Sequence, residues 1–268
     1  MKKLIINADD FGISKETNLA IKQGFESGVI TSTSLIVNLE SFEHAIFEIL
    51  PTISDIDVGF HFNIIEGKSL TNQPLLCDKN GFFNNSYGQL IIKSFNNELL
   101  KQIEVEFRAQ IEKALQHCKI SHIDSHVHTH AIPNIFKLIS KLAKEYNIPY
   151  VRTQREIPYI VWEKSLSTKF ALNIIKNVLL NTFSAINKHS ETNNYFIGIL
   201  YTGFMDEQAI TKGLSKIKKD NSITEVIFHP TTDETKKENY REFLITQNPN
   251  FKENLKNSGF ALSNYINS

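Results

Sequence analysis

Short apolar runs alternate with stretches of helical periodicity along most of the chain. The apolar runs suit buried strands, and the stretches between them repeat apolar residues every three or four positions, as amphipathic helices do. We predict seven strands, at residues 4–8, 30–37, 57–63, 121–130, 150–152, 195–200 and 225–228, before a closing segment at 260–265. We predict helices at residues 14–24, 42–50, 98–117, 135–146, 206–218 and 237–244.

Strands separated by helices indicate parallel pairing, because parallel neighbours need a long crossover connection. About seven such strands favour a (β/α) barrel over an open doubly wound sheet. No glycine-rich phosphate loop follows the first predicted strand, where a dinucleotide-binding fold would need one. At 268 residues the chain has the length of one barrel, so we predict an α/β fold of the TIM-barrel type, in a single domain over residues 1–268.

Two segments depart from this alternation. Residues 65–97 lack sustained periodicity and are rich in Asn and Gly, and their aromatic residues favour a lid loop over a disordered one. Residues 160–189 alternate apolar residues, among them Trp162, Leu166 and Phe170, with lysines. We predict a helical insertion there, an amphipathic cationic helix that either rests on an anionic membrane surface or packs against the barrel or a dimer partner.

Composition restricts the partners and the compartment. Acidic and basic residues balance at 29 each, so no global field attracts nucleic acid. Cys77 and Cys118 form neither a disulfide framework nor a zinc-ribbon pattern, which suggests a reducing compartment. The N-terminal apolar run is too short for a signal peptide, and no stretch has the roughly 20 apolar residues that span a bilayer. We therefore expect a cytoplasmic protein, with any membrane contact peripheral and at the inner face.

The segment 121–130 holds four of the nine histidines. If it is one extended strand, its period of two places one set of side chains on a single face, with Ile123 and Val127 opposite. That set is His122, Asp124, His126, His128 and His130. Imidazole and carboxylate groups are the usual ligands of zinc and related metals, so this face suits a divalent ion. A polar edge strand or a chance cluster is the plainer interpretation.

Further polar side chains fall at or near the C-terminal ends of predicted strands, where a barrel assembles its active site. They are Asp9, Asp10, His61, Arg152 and His229. Asp10, His61 and His126 would supply one carboxylate and two imidazoles to a catalytic metal with an open position for water. Asp9 would then act as the base and His229 as the acid that protonates the leaving group. Taken singly, Asp9-Asp10 could be a helix-capping turn and His229-Pro230 a structural turn.

Four separated motifs together resemble the YdjC-like carbohydrate deacetylase family. They are NADDFG at residues 7–12, GFHFN at 59–63, HIDSHVHTH at 122–130 and FHP at 228–230. The resemblance implies an irregular (β/α) barrel, a homodimer, and removal of acetyl groups from N-acetylated amino sugars with one divalent metal ion.

By the same resemblance, Asp10, His61 and His126 bind the metal, Asp9 is the base and His229 is the acid. His122, Asp124, His128 and His130 would support the ligands or face the substrate, since a ligating histidine usually has its other nitrogen held by a partner. Arg152 resembles the family's arginine after the histidine strand and would orient Asp9 or the substrate; an ordinary surface ion pair is the alternative. Zinc or magnesium, and also manganese or cobalt, suit this donor set.

The substrate prediction depends on the residues after His229-Pro230. Relatives acting on chito-oligosaccharides tend to have Gly there, whereas this chain has Thr231-Thr232. The sequence looks more like the branch acting on N-acetylhexosamines linked to polyprenyl phosphate or hopanoid lipids. A soluble chito-oligosaccharide deacetylase is the alternative. From other classes, a metal-dependent phosphoesterase or amidohydrolase and a non-catalytic sugar-binding protein stay open.

Overall fold

Eight parallel strands form one sheet that curls into an irregular half-barrel surrounded by helices. A computed structural model describes residues 1–165 and 167–268, so Leu166 of the predicted helical insertion lies outside the described residues. The strands are β1 (Lys2–Phe11), β2 (Ser32–Leu35), β3 (Asp57–Phe62), β4 (His122–Ser125), β5 (Tyr150–Val151), β6 (Tyr195–Ile197), β7 (Ile223–Phe228) and β8 (Phe260–Ser263). The predicted α/β barrel class is confirmed.

Strand β1 is the centre of the sheet, whose order is β5-β4-β3-β2-β1-β7-β6. Its first half pairs with β8 and its second half with β2 on one side, while β7 pairs along the other side. Alternate β1 residues face opposite ways. Leu4, Ile6 and Ala8 belong to the main apolar core under the helices, whereas Asn7 and Asp9 make polar contacts inside the barrel.

The two ends of the sheet, β5 and β6, do not pair with each other. A seam between them, formed by residues 152–161 and 191–197, is joined by isolated contacts. The Phe196 backbone N–H donates to the Arg155 carbonyl at 2.8 Å, and the Val151 N–H donates to the Glu191 carbonyl at 3.2 Å. The Asn193 side chain also bonds the backbone N–H and carbonyl of Thr153. The gap between the two ends of the sheet is therefore bridged by side chains and single bonds, not by a strand ladder.

The helices lie outside the sheet, and most of the predicted ones are among them. They are α1 (Lys15–Glu26), α2 (Tyr87–Lys93), α3 (Asn97–Leu115), α4 (Pro133–Glu145), α5 (Thr168–Ile186), α6 (Glu207–Leu214), α7 (Lys237–Thr246) and α8 (Pro249–Asn257). Ser14 caps α1 by accepting from the Thr17 N–H, and Ser86 begins α2 in a capping box with Gln89. In the described part of the chain, no helix is both long and apolar enough to cross a membrane.

The prediction of one strand over residues 121–130 is wrong. Strand β4 ends at Ser125, and residues 126–131 form a tight turn in which Val127 (φ 54°, ψ 24°) and His128 (φ 56°, ψ 30°) are left-handed. Such a conformation costs an L-residue about 1–2 kcal/mol, so no local preference in the sequence indicates it. The histidines of this segment therefore do not share one face.

Three further predictions needed adjustment. Residues 65–97 are not wholly irregular, because they include α2. The predicted helix at 42–50 is a π-helical turn at His44–Ile49 followed by a 3-10 turn. Helix α5 begins at Thr168, well inside the predicted segment 160–189, and α8 was not predicted at all.

Candidate active site and metal centre

The inward-facing ends of the central strands carry the polar residues of the site. Asp9 and Asp10 lie at the end of β1, His61 at the end of β3, and Asp124 on β4. Parallel strands end at the same rim, so these side chains meet there. They line or adjoin a cavity of about 330 Å³.

A β-bulge explains how two adjacent aspartates both reach this cavity. Neighbouring strand residues normally point to opposite faces. The β1–β2 register shifts between Ala8 and Phe11, and Asp10 is left-handed with φ 71°. The bulge re-aims Asp10, and both carboxylates line the cavity.

Asp10, His61 and His126 form a compact donor set. Their ligand atoms lie within 4.8 Å of one another. Asp10 Oδ1 is 2.8 Å from His126 Nδ1 and 3.3 Å from His61 Nε2. One carboxylate and two imidazoles, gathered at the wall of a cavity, are the donors that a catalytic divalent metal uses, so the residues present fit such an ion.

The outer nitrogen of each of these histidines is held by a carboxylate. His61 Nδ1 lies 2.6 Å from Asp124 Oδ1, and His126 Nε2 lies 3.1 Å from Glu66 Oε2. This is the arrangement that fixes the orientation of ligating histidines. Burial would lower the pKa of His61, but the neighbouring carboxylates, Asp124 foremost, raise it to about 10. Burial would likewise lower the pKa of His126, but Asp10 and Glu66 outweigh this effect and raise the pKa to about 9.

A second possible donor set, formed by Asp9, His61 and Asp124, is also compact enough to bind one ion. Its interior is already filled by the guanidinium of Arg152, which bonds both oxygens of Asp9 at 2.8 and 2.7 Å and pairs with Asp124 at 2.5 Å. An ion there would have to displace a buried cation. The first set is therefore the better metal site.

Arg152 is fully buried, so the alternative of a surface ion pair is wrong. Its Nε also donates to Glu225 at 2.8 Å, which gives one cation three carboxylate partners. Burial would raise the pKa of Asp9, but Arg152 outweighs it and the pKa lies below its ordinary value. Burial raises the pKa of Glu225 to about 7 despite Arg152, and its Oε2 has no hydrogen-bond partner among the described residues.

His229 stands across the cavity from Asp9, with 4.0 Å between its Nε2 and Asp9 Oδ2. Its backbone N–H donates to Glu242, and its Nδ1 lies 3.8 Å from the same carboxylate. Burial would lower the pKa of His229, but Glu242 and the two aspartates raise it to about 9. The imidazole is therefore protonated at neutral pH.

His122, His128 and His130 are the remaining histidines of residues 122–130, and they occupy three different places. His122 is buried below the site, bonded to Ser34 and stacked on Tyr265 at 3.9 Å between ring centroids. His130 is buried against Ser125 and the Arg152 carbonyl. Only His126 and His128 of these histidines line the cavity, together with Asp9, Asp10, His61 and His229.

The rest of the cavity wall is mainly apolar and is fixed by Glu156. This buried carboxylate accepts from the backbone N–H groups of Gly198, Ile199 and Leu200 at 2.9–3.0 Å, and from Asn177 of α5 at 3.1 Å. Burial raises its pKa to about 7 although these donors act in the opposite direction. One side chain thus ties the seam to the wall formed by α5 and the loop after β6.

Sequence reasoning missed the carboxylates that support the site. Glu66 follows the end of β3 in a loop, a position that could have been singled out because functional side chains concentrate in such loops. Glu225 lies on β7, where the sequence alone does not distinguish it from an ordinary polar strand residue. Glu242 lies on α7, and nothing in the sequence around it indicates a contact with His229.

Comparisons with known proteins agree on one family. The sequence model described as YdjC-like protein matches residues 3–257. A carbohydrate deacetylase from Clostridium beijerinckii is 41% identical over 149 residues, which are 55% of this chain and 58% of that protein. A chitooligosaccharide deacetylase from Proteus mirabilis is 34% identical over 156 residues, 57% and 59% of the two chains. The chain thus spans less than two thirds of the curated relatives that it matches.

The fold also has a solved counterpart. A candidate cellobiose-phosphate cleavage protein from Enterococcus faecalis V583 superposes with a TM-score of 0.75 over 99% of this chain and 98% of the other. The two sequences are 23% identical, so the likeness concerns the fold alone.

Proposed function

Because the chain belongs to the YdjC-like protein family, we propose that it is a metal-dependent hydrolase that removes the acetyl group from an N-acetylated amino sugar. The observation that carries the proposal is the cavity in which a metal-type donor set, a buried aspartate and a protonated histidine converge. Amide hydrolysis needs these three functions: an electrophile, a base and an acid.

Asp9 is the base in this proposal. Its Oδ1 already accepts from Arg152 and Asn7, whereas Oδ2 accepts from Arg152 alone. Oδ2 therefore has a free lone pair, and it is the oxygen that faces His229. The Arg152 contacts keep the carboxylate ionised and fixed in orientation, so it can take the proton of an attacking water.

His229 is the acid. The 4.0 Å between its Nε2 and Asp9 Oδ2 is too long for a hydrogen bond, and both residues line the cavity, so a substrate bound there can contact base and acid together. Glu242 keeps the imidazole protonated, so it can deliver a proton to the departing sugar amine. Acetate and a free amino sugar are the products.

Asp10, His61 and His126 would hold the divalent metal. When bound, the ion would polarise the acetamide carbonyl and lower the pKa of a water molecule. Zinc and magnesium are the candidates that we favour, with manganese and cobalt as further options, because one carboxylate with two imidazoles accommodates each of them.

We expect the protein to release acetate from at least one N-acetylhexosamine, and to lose that activity with chelator. The panel compares N-acetylglucosamine oligomers with N-acetylglucosamine and N-acetylgalactosamine on polyprenyl phosphate. Zn²⁺, Mg²⁺, Mn²⁺ and Co²⁺ are then added back singly to the chelated enzyme. No acetate from any member, with metal demonstrably bound, would contradict the proposal. Phosphate release from sugar phosphates would favour a phosphoesterase, and sugar binding without turnover a binding protein.

We propose further that the natural amino sugar is lipid-linked, and that α5 makes a peripheral membrane contact at the inner face. Helix α5 packs Phe170, Leu180 and Phe183 against the protein, but it also leaves apolar residues exposed, where an ordinary surface helix is polar. Asn173 and Asn177 are buried, at 1% and 2% exposure, while Leu172, Ile175 and Val178 are 59–65% exposed. The buried amides bond the Leu200 carbonyl and Glu156, so the polar face is occupied by the protein itself.

Charge supports an anionic surface as the occupant of this apolar face. No acidic residue occurs between Lys164 and Ser190, and the charged residues in that stretch are lysines. An isologous dimer through the same face would place Lys176 near its own copy, whereas anionic lipid headgroups would attract it. Lys176 and Leu179 also line the cavity, so the active site opens beside the proposed contact.

We expect the protein to float with phosphatidylcholine–phosphatidylglycerol vesicles and not with pure phosphatidylcholine. The double variant Ile175→Ser/Val178→Ser should lose flotation, because it removes exposed apolar area. Val105→Ser on α3, where the valine is 46% exposed, is the matched control. Light scattering of the same protein variants without vesicles tests the predicted homodimer. If the double variant turns a dimer into a monomer and vesicles never bind, α5 is a dimer interface and the membrane proposal is wrong.

A further inference from the structure

The turn after β4 holds two consecutive residues, Val127 and His128, in a left-handed backbone conformation. Six non-glycine residues of the described chain have left-handed φ: Asp10, Asn72, Val127, His128, Asn147 and Asn221. Asn, Asp and to a lesser degree His adopt this region more often than other residues, whereas a β-branched residue such as Val127 is strained there. The strain in this turn is therefore centred on Val127, next to His128.

The surrounding contacts impose this conformation. Ser125 Oγ accepts from the His130 N–H at 2.8 Å and lies 2.6 Å from His130 Nδ1, which closes the turn from inside. The Tyr87 hydroxyl of α2 donates to the His128 carbonyl at 3.5 Å. Strain that neighbours enforce at the wall of an active-site cavity points to a functional side chain.

The His128 ring packs edge-on against Phe196 but has no hydrogen-bond partner among the described residues. No hydrogen bond joins either of its nitrogens to a described residue, and Nδ1 is fully buried without one. By contrast, His61, His122, His126 and His130 each bond a side chain or a carbonyl. A buried polar group without a partner is unfavourable, so a missing ligand group is the simplest explanation.

We propose that His128 hydrogen-bonds the substrate, at a neutral hydroxyl or amide group next to the reacting acetamide. This inference rests on the proposed function. His128 lines the cavity with Asp9 and His229, which is the place of the scissile bond. Its ring nitrogens can serve as hydrogen-bond partners for a sugar hydroxyl or an amide, which themselves donate and accept.

Two substitutions separate binding from strain. His128→Ala removes the hydrogen bond and should raise KM and lower kcat/KM by about tenfold or more, the effect of one lost hydrogen bond in a closed site. His128→Asn suits the left-handed backbone and should raise Tm while still lowering kcat/KM. Val127→Asn relieves the neighbouring strain and serves as the stability comparison. A purely structural histidine would lower Tm on replacement by asparagine.

The substrate side of the contact is tested with deoxy sugars. On the deoxy substrate that lacks the bonded hydroxyl, wild type and His128→Ala should have equal kcat/KM, whereas on the intact sugar they differ. If no single deoxy position abolishes the difference, an N-methylacetamide substrate tests the amide N–H instead. Activity of His128→Ala within twofold of wild type on the intact sugar would overturn the inference, as would a persistent difference on every analogue.

Failure of the proposed function gives a different result. If the metal-loaded wild type releases no acetate, the deacetylase proposal fails, and calorimetric titration with N-acetylglucosamine oligomers then decides the role of His128. Weaker binding by His128→Ala supports the contact. Equal affinity, or no binding by the wild type, overturns it.

Discussion

Replacing Asp9 by asparagine is expected to lower kcat for acetate release by two to four orders of magnitude, the usual contribution of a general base. The amide is nearly isosteric and can still accept from Arg152 at one atom, but it cannot take a proton from water. Asp9 contributes no atom to the better metal site, so the variant should keep its metal. Steady-state kinetics and metal content of the purified protein measure the two effects.

Asp55→Asn is the matched control, because Asp55 is exposed and the same substitution there should leave kcat within twofold. Asp10→Asn gives the opposite separation: metal content should fall together with activity. Turnover near the wild-type level in metal-loaded Asp9→Asn would show that another group is the base.

Replacing Arg152 by methionine is expected to destabilise the protein by about 3–5 kcal/mol, because breaking a buried ionic cluster leaves uncompensated charge. Asp9, Asp124 and Glu225 would lose their shared cation. Equilibrium urea unfolding measures the change in free energy, and activity should be lost as well, since Asp9 loses its orientation.

Arg155→Met is the control for Arg152→Met, since Arg155 is exposed three residues away and its replacement should cost no more than about 0.5 kcal/mol. Adding Glu225→Gln to Arg152→Met should restore part of the loss by removing one uncompensated carboxylate. A double variant no more stable than Arg152→Met would contradict this expectation and show that Glu225 is not an uncompensated charge in the single variant.

The parts of the fold that sequence could predict are those in which local pattern and tertiary packing agree. The strands β1 and β7 contain short apolar runs and β3 alternates, and the Ser14 hydroxyl caps the start of α1. The turn at residues 126–131 could not be predicted, because its conformation opposes the preference of the β-branched Val127 and is held by contacts of Ser125 and Tyr87.

The same distinction holds for the candidate site. Asp9, Asp10, His61, His126 and His229 could be singled out because strand ends meet at one rim, and the structure brings all five to one cavity. Glu66 and Glu242 come from a loop and an outer helix, whose approach to the histidines depends on the packing of whole elements. The exposed apolar face of α5 could be identified only in the structure, since an apolar period in the sequence does not say which side of a helix is buried.

Strands β5 and β6 do not pair with each other, and this gap divides the protein into regions that should tolerate mutation differently. The proposed base Asp9 and Asp10, the carboxylate of the candidate metal site, lie on β1, which is paired along both sides, so most changes there disturb several strands. The seam and α5 are held by single bonds and by Glu156, and they form the wall that the non-reacting part of a substrate would touch. Related enzymes could therefore diverge in the group carried by the sugar through changes at the seam, while the residues that act on the acetamide stay the same.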